Sequence, residues 1–179
     1  MEKKEFHKKI AATITSIKEL NTLNFEEKTF PIREYKMVGV MNKILEVYLA
    51  IKVDSDLQSD PIFQDYLDES ANLFYGTITA DIYLYTRSIE RIAGSILEPG
   101  EWEKLFWRRS AFEALKELYQ GTVFEQYLVD QVEIDEDTEE RMEFLSQREG
   151  PVSEDDIPKG IPSSHWWWWG EPPEESDDD

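Results

Sequence analysis

Apolar residues recur every three or four positions through most of the first 150 residues of this chain. In the clearest stripe the spacing is four, three, four, three and four, and its members are Ile78, Ile82, Tyr85, Ile89, Ile92 and Ile96. An α-helix has 3.6 residues per turn, so this spacing gathers apolar side chains on one face. A strand over 78–84 is the competing interpretation, but the alternation stops there whereas the helical period continues. The sequence therefore predicts an all-α protein, a single bundle of about five to seven helices.

Two further stripes define the first part of the bundle. The predicted first helix covers 4–22, with its apolar face formed by Phe6, Ile10, Ile14, Ile17 and Leu20. The next covers 32–52 after the start signal Thr29-Phe30-Pro31, and its predicted stripe is Tyr35, Val38, Met41, Leu45, Tyr48 and Leu49. Further apolar residues flank this stripe, namely Val40, Ile44, Val47 and Ile51. So wide an apolar arc indicates the central helix of the core, although the β-branched end of the segment leaves a strand open there.

Residues with known preferences for helix ends divide the remaining chain. Asp60 precedes a proline and predicts the cap of a helix over 61–74. Gly121 is the predicted stop of a helix over 101–120. Asp137 or Thr138 is expected to cap a last short helix. Together these signals predict a helical domain over 1–150, followed by an acidic tail rich in Pro and Trp over 151–179.

Negative charge is concentrated in the last third of the chain, which has a net charge of -20 overall. Residues 1–120 hold 16 basic and 20 acidic side chains, a balance of -4; residues 121–179 hold 3 and 19, a balance of -16. Nucleic acid is not expected as a partner, because phosphate contacts need a basic face. Such a field would accelerate encounter with a basic protein. The alternative is that it serves only solubility.

The usual catalytic and metal-binding groups are scarce. The chain has no cysteine, and its two histidines are His7, expected at the surface, and His165. An EF-hand beginning at Asp135 fails, because Glu140 stands where glycine is needed and Ser146 where glutamate is needed. We therefore expect no enzyme, cofactor or metal site. With no stretch of 18 uncharged apolar residues and no signal sequence, we expect a cytoplasmic protein without membrane contact.

Four consecutive tryptophans, Trp166 to Trp169, follow His165 in the acidic tail. Each can bury roughly 150 to 250 Å², and a monomer seldom exposes an apolar patch above roughly 300 to 600 Å². The segment is thus expected to rest against its own body or against a partner. Prolines on both sides favour an extended conformation, in which Trp166 and Trp168 face one way and Trp167 and Trp169 the other.

Four arginines are candidate docking residues for the tail, because a guanidinium can clamp carboxylates. They are Arg87, Arg91, Arg108 and Arg109. The alternative is ordinary surface pairing with neighbouring acids, namely Glu90, Glu98 or Glu113.

The function expected from these features is that of an acidic protein-binding module. It would occupy and neutralise a basic protein partner, such as a toxin, as small bacterial immunity proteins and antitoxins do. The predicted contact residues combine aromatic anchors with acids, namely His165, Trp166, Trp167, Trp168, Trp169, Glu133, Asp135, Glu136 and Asp137. A structural or assembly adaptor, whose tail docks on a neighbouring subunit, is the alternative.

Overall fold

Six α-helices, together with short 3₁₀ turns, make up the described part of the chain. The computed structural model describes residues 2–75, 79–95, 102–125, 127–128, 134, 136–149 and 152–170. The helices are α1 (Lys3–Asn21), α2 (Phe30–Val53), α3 (Pro61–Phe74), α4 (Thr79–Gly94), α5 (Trp102–Leu118) and α6 (Glu136–Glu149). The 3₁₀ turns cover Glu27–Thr29, Ser55–Ser59 and Trp166–Trp168. No strand occurs among these residues, which confirms the all-α prediction. None of the described helices has the length and apolar content needed to cross a membrane.

Helix α2 is the centre of the bundle, as its apolar arc predicts. It packs against α1, α4 and α5, and it is helical to Val53, so the strand alternative is wrong. The predicted stripe is confirmed at Met41, Leu45 and Tyr48, which are buried, and wrong at Tyr35, which is 80% exposed. The buried face also includes flanking residues such as Val40 and Ile44. With neighbours on three sides and a continuous apolar arc, periodicity alone does not fix which side of the helix is most buried.

The stripe of α1 is confirmed, and the stripe of α4 is confirmed at three of its four described residues, since the fourth, Ile92, is partly buried. All five predicted residues of α1 are buried, and the helix packs against α2 and α3. In α4, Ile82, Tyr85 and Ile89 are buried, and the segment is helical rather than extended from Thr79 onward. Ile78 and Ile96 lie outside the described residues.

The three predicted helix ends agree with the structure to different degrees. The Asp60 carboxylate accepts a hydrogen bond from the Ile62 backbone N–H at 2.9 Å and caps α3. It also bonds the ring of His7 at 3.1 Å, which makes that histidine a partly buried partner. Gly121 adopts the left-handed φ of +79°, but α5 already ends at Leu118, three residues before it. Helix α6 begins at Glu136, so the cap prediction at Asp137 or Thr138 is wrong. Asp137 lies in the first turn, where an acid complements the helix dipole.

A buried ion pair between α2 and α4 was not predicted. The Arg33 guanidinium holds both carboxylate oxygens of Asp81, and both side chains are buried. Burial raises the pKa of the Asp81 carboxyl, and the hydrogen bonds and charge of Arg33 oppose that rise. Arg33 lies one turn before the buried Met37, and Asp81 lies one turn before the buried Tyr85, so each is on the apolar face of its helix. This register is the sequence signal for the pair.

Candidate functional site

Residues 152–168 form a loop that closes on itself, and we call it the closing loop. Its ends are joined by a hydrogen bond from the Val152 backbone N–H to the Trp168 carbonyl, 3.2 Å long. The loop crosses α2 at Gly160, which adopts φ +92°. A Cβ atom at this position would lie 2.8 Å from the Leu49 carbonyl oxygen. Only glycine fits both the backbone conformation and this close approach.

The tryptophans occupy a 3₁₀ turn rather than an extended strand, so that prediction is wrong. The Trp168 N–H donates to the His165 carbonyl at 3.1 Å, and the Trp169 N–H donates to the Trp166 carbonyl at 2.8 Å. Pro162 lies far enough upstream to leave these amides free to donate, and its own carbonyl accepts from His165. With about three residues per turn, successive side chains point about a third of a turn apart, so two neighbouring indoles can enter the protein together.

Burial divides the aromatic segment into an inner and an outer group. Trp167 and Trp168 are 2% and 1% exposed, and His165 is 1% exposed. Trp169 is 37% exposed, and Trp166 is half-buried. In this conformation only the two outer tryptophans are accessible to a partner, although all four and the histidine were predicted to contact one.

The inner group converges on a single hydroxyl of α5. The indole N–H groups of Trp167 and Trp168 donate to Ser110 Oγ at 3.2 and 2.8 Å. His165 Nδ1 lies 3.1 Å from the same oxygen. Ser110 and the neighbouring Ala111 are buried small residues, so the rings can approach the helix closely. We call Ser110, His165, Trp167 and Trp168 the serine hub.

The valence of the hydroxyl fixes the protonation of the histidine. An indole nitrogen can only donate, so Trp167 and Trp168 occupy both lone pairs of Ser110 Oγ. The hydroxyl hydrogen is then directed to His165 Nδ1, which must be an unprotonated acceptor. A neutral His165 therefore carries its proton on Nε2, and that buried nitrogen has no hydrogen-bond partner among the described residues.

Aromatic contacts hold the hub between α2 and α5. The imidazole of His165 stacks between Tyr48, with a centroid distance of 6.1 Å, and Trp167, at 5.0 Å. The Trp168 ring meets Phe106 at 5.6 Å and Trp107 at 6.0 Å, both edge-on. Such pairs stabilise beyond the area that they bury, by about 0.5 to 1.5 kcal/mol.

Charged residues surround the hub. Arg109 stacks on the Trp167 ring at 4.9 Å and pairs with Glu113 and Glu139. Burial alone would raise the pKa of Glu113, but the charge and hydrogen bond of Arg109 lower it. Burial lowers the pKa of His165 to about 4, although the carboxylates of Glu117 and Glu113 oppose the change.

The four arginines proposed for tail docking have different environments. Arg87 pairs with Glu90, one of the acids named in the alternative, and Arg91 pairs with Glu34, which was not named there. Arg108 donates to Ser88 Oγ at 2.7 Å. Among the four, Arg109 has a described contact with the aromatic segment, through the Trp167 ring rather than a carboxylate. Docking of residues 171–179 on any of them stays a prediction, because those residues lie outside the described part.

The predicted acidic contact residues fall at the start of α6. Glu136 and Asp137 are exposed in its first turn, while Glu133 and Asp135 lie outside the described residues. The 3₁₀ turn of the tryptophans packs against this helix. Across the described ranges, no group of three His, Asp or Glu side chains is arranged to hold a metal ion.

The fold and site together define a helical bundle in which an aromatic closing loop is bound to its own central helices. Comparison with protein-family models, with curated proteins and with solved structures finds no match in any of the three.

Proposed function

We propose that the chain is an acidic protein-binding module that occupies and neutralises a basic protein partner, in the manner of immunity proteins and antitoxins. The observation that carries the proposal is a stripe on α6, Asp137, Glu140 and Phe144, spaced three and four residues apart. All three are exposed, and Phe144 has 52% of its surface in solvent. At the start of α6, Glu139 forms an ion pair with Arg109. Within the described part of the chain, Glu136, Asp137 and Glu140 form no ion pair.

This stripe combines two properties of a protein-binding surface. Its carboxylates belong to the part of the chain that carries 16 of the 20 net negative charges, and a field of this sign accelerates association with a cationic partner. Phe144 supplies an aromatic anchor, a residue type enriched at interfaces. The acidic residues therefore provide rate and orientation, and the aromatic ring provides buried area.

The two outer tryptophans extend the proposed surface. Trp166 belongs to the 3₁₀ turn that packs against α6, Trp169 follows directly after it, and both keep accessible surface. The buried His165, Trp167 and Trp168 then position this turn from beneath rather than contact the partner. We do not propose the adaptor alternative, because the described part of the tail packs on its own bundle.

The test uses the full chain as bait in an extract of the organism that makes it. The first variant neutralises the two acids of the stripe and the neighbouring Glu136, with Glu136→Gln, Asp137→Asn and Glu140→Gln. The control removes the same charge from three exposed acids outside α6, with Asp56→Asn, Asp65→Asn and Asp68→Asn. Any captured basic protein is purified, and its Kd is measured for each variant and at two salt concentrations.

The proposal predicts that the stripe variant weakens binding at least tenfold and the control variant less than threefold, with affinity falling as salt rises. The captured protein should also lose its own activity when bound. Equal weakening by both variants, or binding that survives the stripe variant unchanged, would contradict the proposed surface.

A further inference from the structure

We propose that the serine hub is a proton-sensitive latch that releases the closing loop from α2 and α5 when the His165 imidazole is protonated. The proposal does not depend on the proposed function, because it concerns how the loop is held and not what it binds. It starts from the hydrogen-bond count at Ser110 Oγ, which accepts from two indoles and lies 3.1 Å from His165 Nδ1.

Protonation of His165 leaves more hydrogen-bond donors around Ser110 Oγ than this oxygen can accept. An imidazolium donates from both nitrogens, so three N–H groups would face an oxygen with two lone pairs. One donor, His165 Nδ1 or one indole nitrogen, must then lose its partner inside the protein. A buried donor without a partner and a buried positive charge are both unfavourable. Opening the loop relieves both, because water then reaches the imidazolium and the indoles.

The charged neighbours of His165 influence whether its imidazole is neutral or protonated in the closed loop. From α2 it faces Tyr48 and Lys52, and from α5 it faces Arg109, Glu113 and Glu117. The two carboxylates favour the imidazolium, but Glu113 is paired with Arg109, and Glu117 is shared by Tyr48, at 2.6 Å, and Lys52, at 3.1 Å. Their charge is thus largely balanced by nearby cations, and burial keeps His165 neutral in the closed loop.

The sign of the pH dependence follows from this difference. The pKa of His165 is about 4 in the closed loop and about 6.5 for a solvated histidine. Loop closure is therefore fully stable above pH 6.5 and loses up to tenfold in its equilibrium constant for each unit that the pH falls toward 4. Opening would expose the indoles of Trp167 and Trp168, which gives the molecule a second aromatic surface in acid.

The experiment measures hydrogen exchange of the Trp167 and Trp168 indole N–H groups in the full chain between pH 5 and 6.5, corrected for the intrinsic exchange of free indole. Protection should fall up to tenfold per pH unit in the parent protein. His165→Asn should abolish the slope, because its amide oxygen accepts from the Ser110 hydroxyl without titrating. His7→Asn should keep the slope, because His7 lies beside Asp60. A parallel loss of protection at the core amide of Ile44 would overturn the latch, as it would mean global unfolding.

Nuclear magnetic resonance of the His165 ring nitrogens tests the latch in the unaltered protein, even if the substitution impairs folding. The expected result is a neutral ring with its proton on Nε2, Nδ1 as acceptor, and a titration midpoint below pH 5. A proton on Nδ1, or titration near pH 6.5, overturns the proposal. An unchanged slope in His165→Asn overturns it as well.

Discussion

The contact between α1 and α2 and the contact between the closing loop and α5 bury apolar surface in different ways. On these two helices Ile10, Ile17 and Ile44 are buried aliphatic side chains with no polar atoms to satisfy. The second is made by indoles and an imidazole, whose three nitrogens converge on one hydroxyl. The helix contact depends on total area and volume, whereas the loop contact also depends on the position of one oxygen. We therefore expect the loop contact to tolerate substitution less.

The largest effect is expected at the inner tryptophans. Trp168→Ala removes a ring that is 1% exposed and should lower the free energy of unfolding by about 4 kcal/mol, as large aromatic truncations in cores do. Trp169→Ala is the matched control in the same turn and should cost less than about 1 kcal/mol, because its ring is partly solvated. Urea denaturation followed by circular dichroism gives both values. Similar losses of unfolding free energy in the two variants would mean that Trp168 and Trp169 are equally buried, which would contradict the structure.

Ser110→Ala is expected to have the next largest effect. It deprives the indoles of Trp167 and Trp168 of their acceptor and His165 of its donor, and should cost about 3 kcal/mol. Ser146→Ala is a matched control on α6, because that buried hydroxyl has no described partner, and it should be neutral or slightly stabilising. Thermal denaturation at one fixed pH compares the two. If both substitutions are neutral, the convergence on Ser110 contributes nothing to stability.

A backbone requirement at the loop crossing should produce an intermediate effect. Gly160→Ala combines φ +92° with a Cβ atom 2.8 Å from a carbonyl oxygen, and should lower the free energy of unfolding by about 2 kcal/mol. Gly39→Ala, inside α2 with no atom close to the added Cβ, should raise it by about 0.5 to 1 kcal/mol. Denaturant titrations of both variants provide the comparison. A change in unfolding free energy of the same sign in both variants would contradict the expected difference between the loop glycine and the helix glycine.

The smallest effect is expected in the aliphatic contact. Ile17→Val removes one methyl group from a buried site and should cost about 1 kcal/mol, and Ile17→Met should cost less than about 1.5 kcal/mol because volume is nearly conserved. Both values come from the same denaturation assay. A loss above about 3 kcal/mol for either would show that the helix contact depends on exact shape as strongly as the loop contact does, and would remove the distinction.

The same difference explains how far the sequence predicts the fold. The stripe from Phe6 to Leu20 and the cap at Asp60 depend on local spacing and local hydrogen bonds, and the structure confirms both. Tyr35 was misplaced because α2 is apolar on several sides, and its neighbours decide which side is buried. The start of α6 was misplaced by two or three residues because several acids there suit both the cap and the first turn.

The site was less predictable because it is built from distant residues. His165 and Ser110 are separated by 55 positions, and a serine beside an alanine in a helix gives no signal that indoles will meet there. The tryptophans were recognised as residues that must pack against something, but their 3₁₀ turn depends on where α5 leaves room. The Arg33 and Asp81 pair was missed although both residues occupy buried registers, since a single charged residue in a stripe resembles an exposed position.

In the structure, the Ser110 hydroxyl holds Trp167 and Trp168 on the bundle of their own chain. This arrangement can be tested by hydrogen exchange of the four consecutive indole N–H groups, measured at pH 7 on the isolated full chain. The structure predicts slow exchange for Trp167 and Trp168 and faster exchange for Trp169, whose ring is 37% exposed. Exchange of all four at the rate of free indole would show that the inner tryptophans are not held on the bundle.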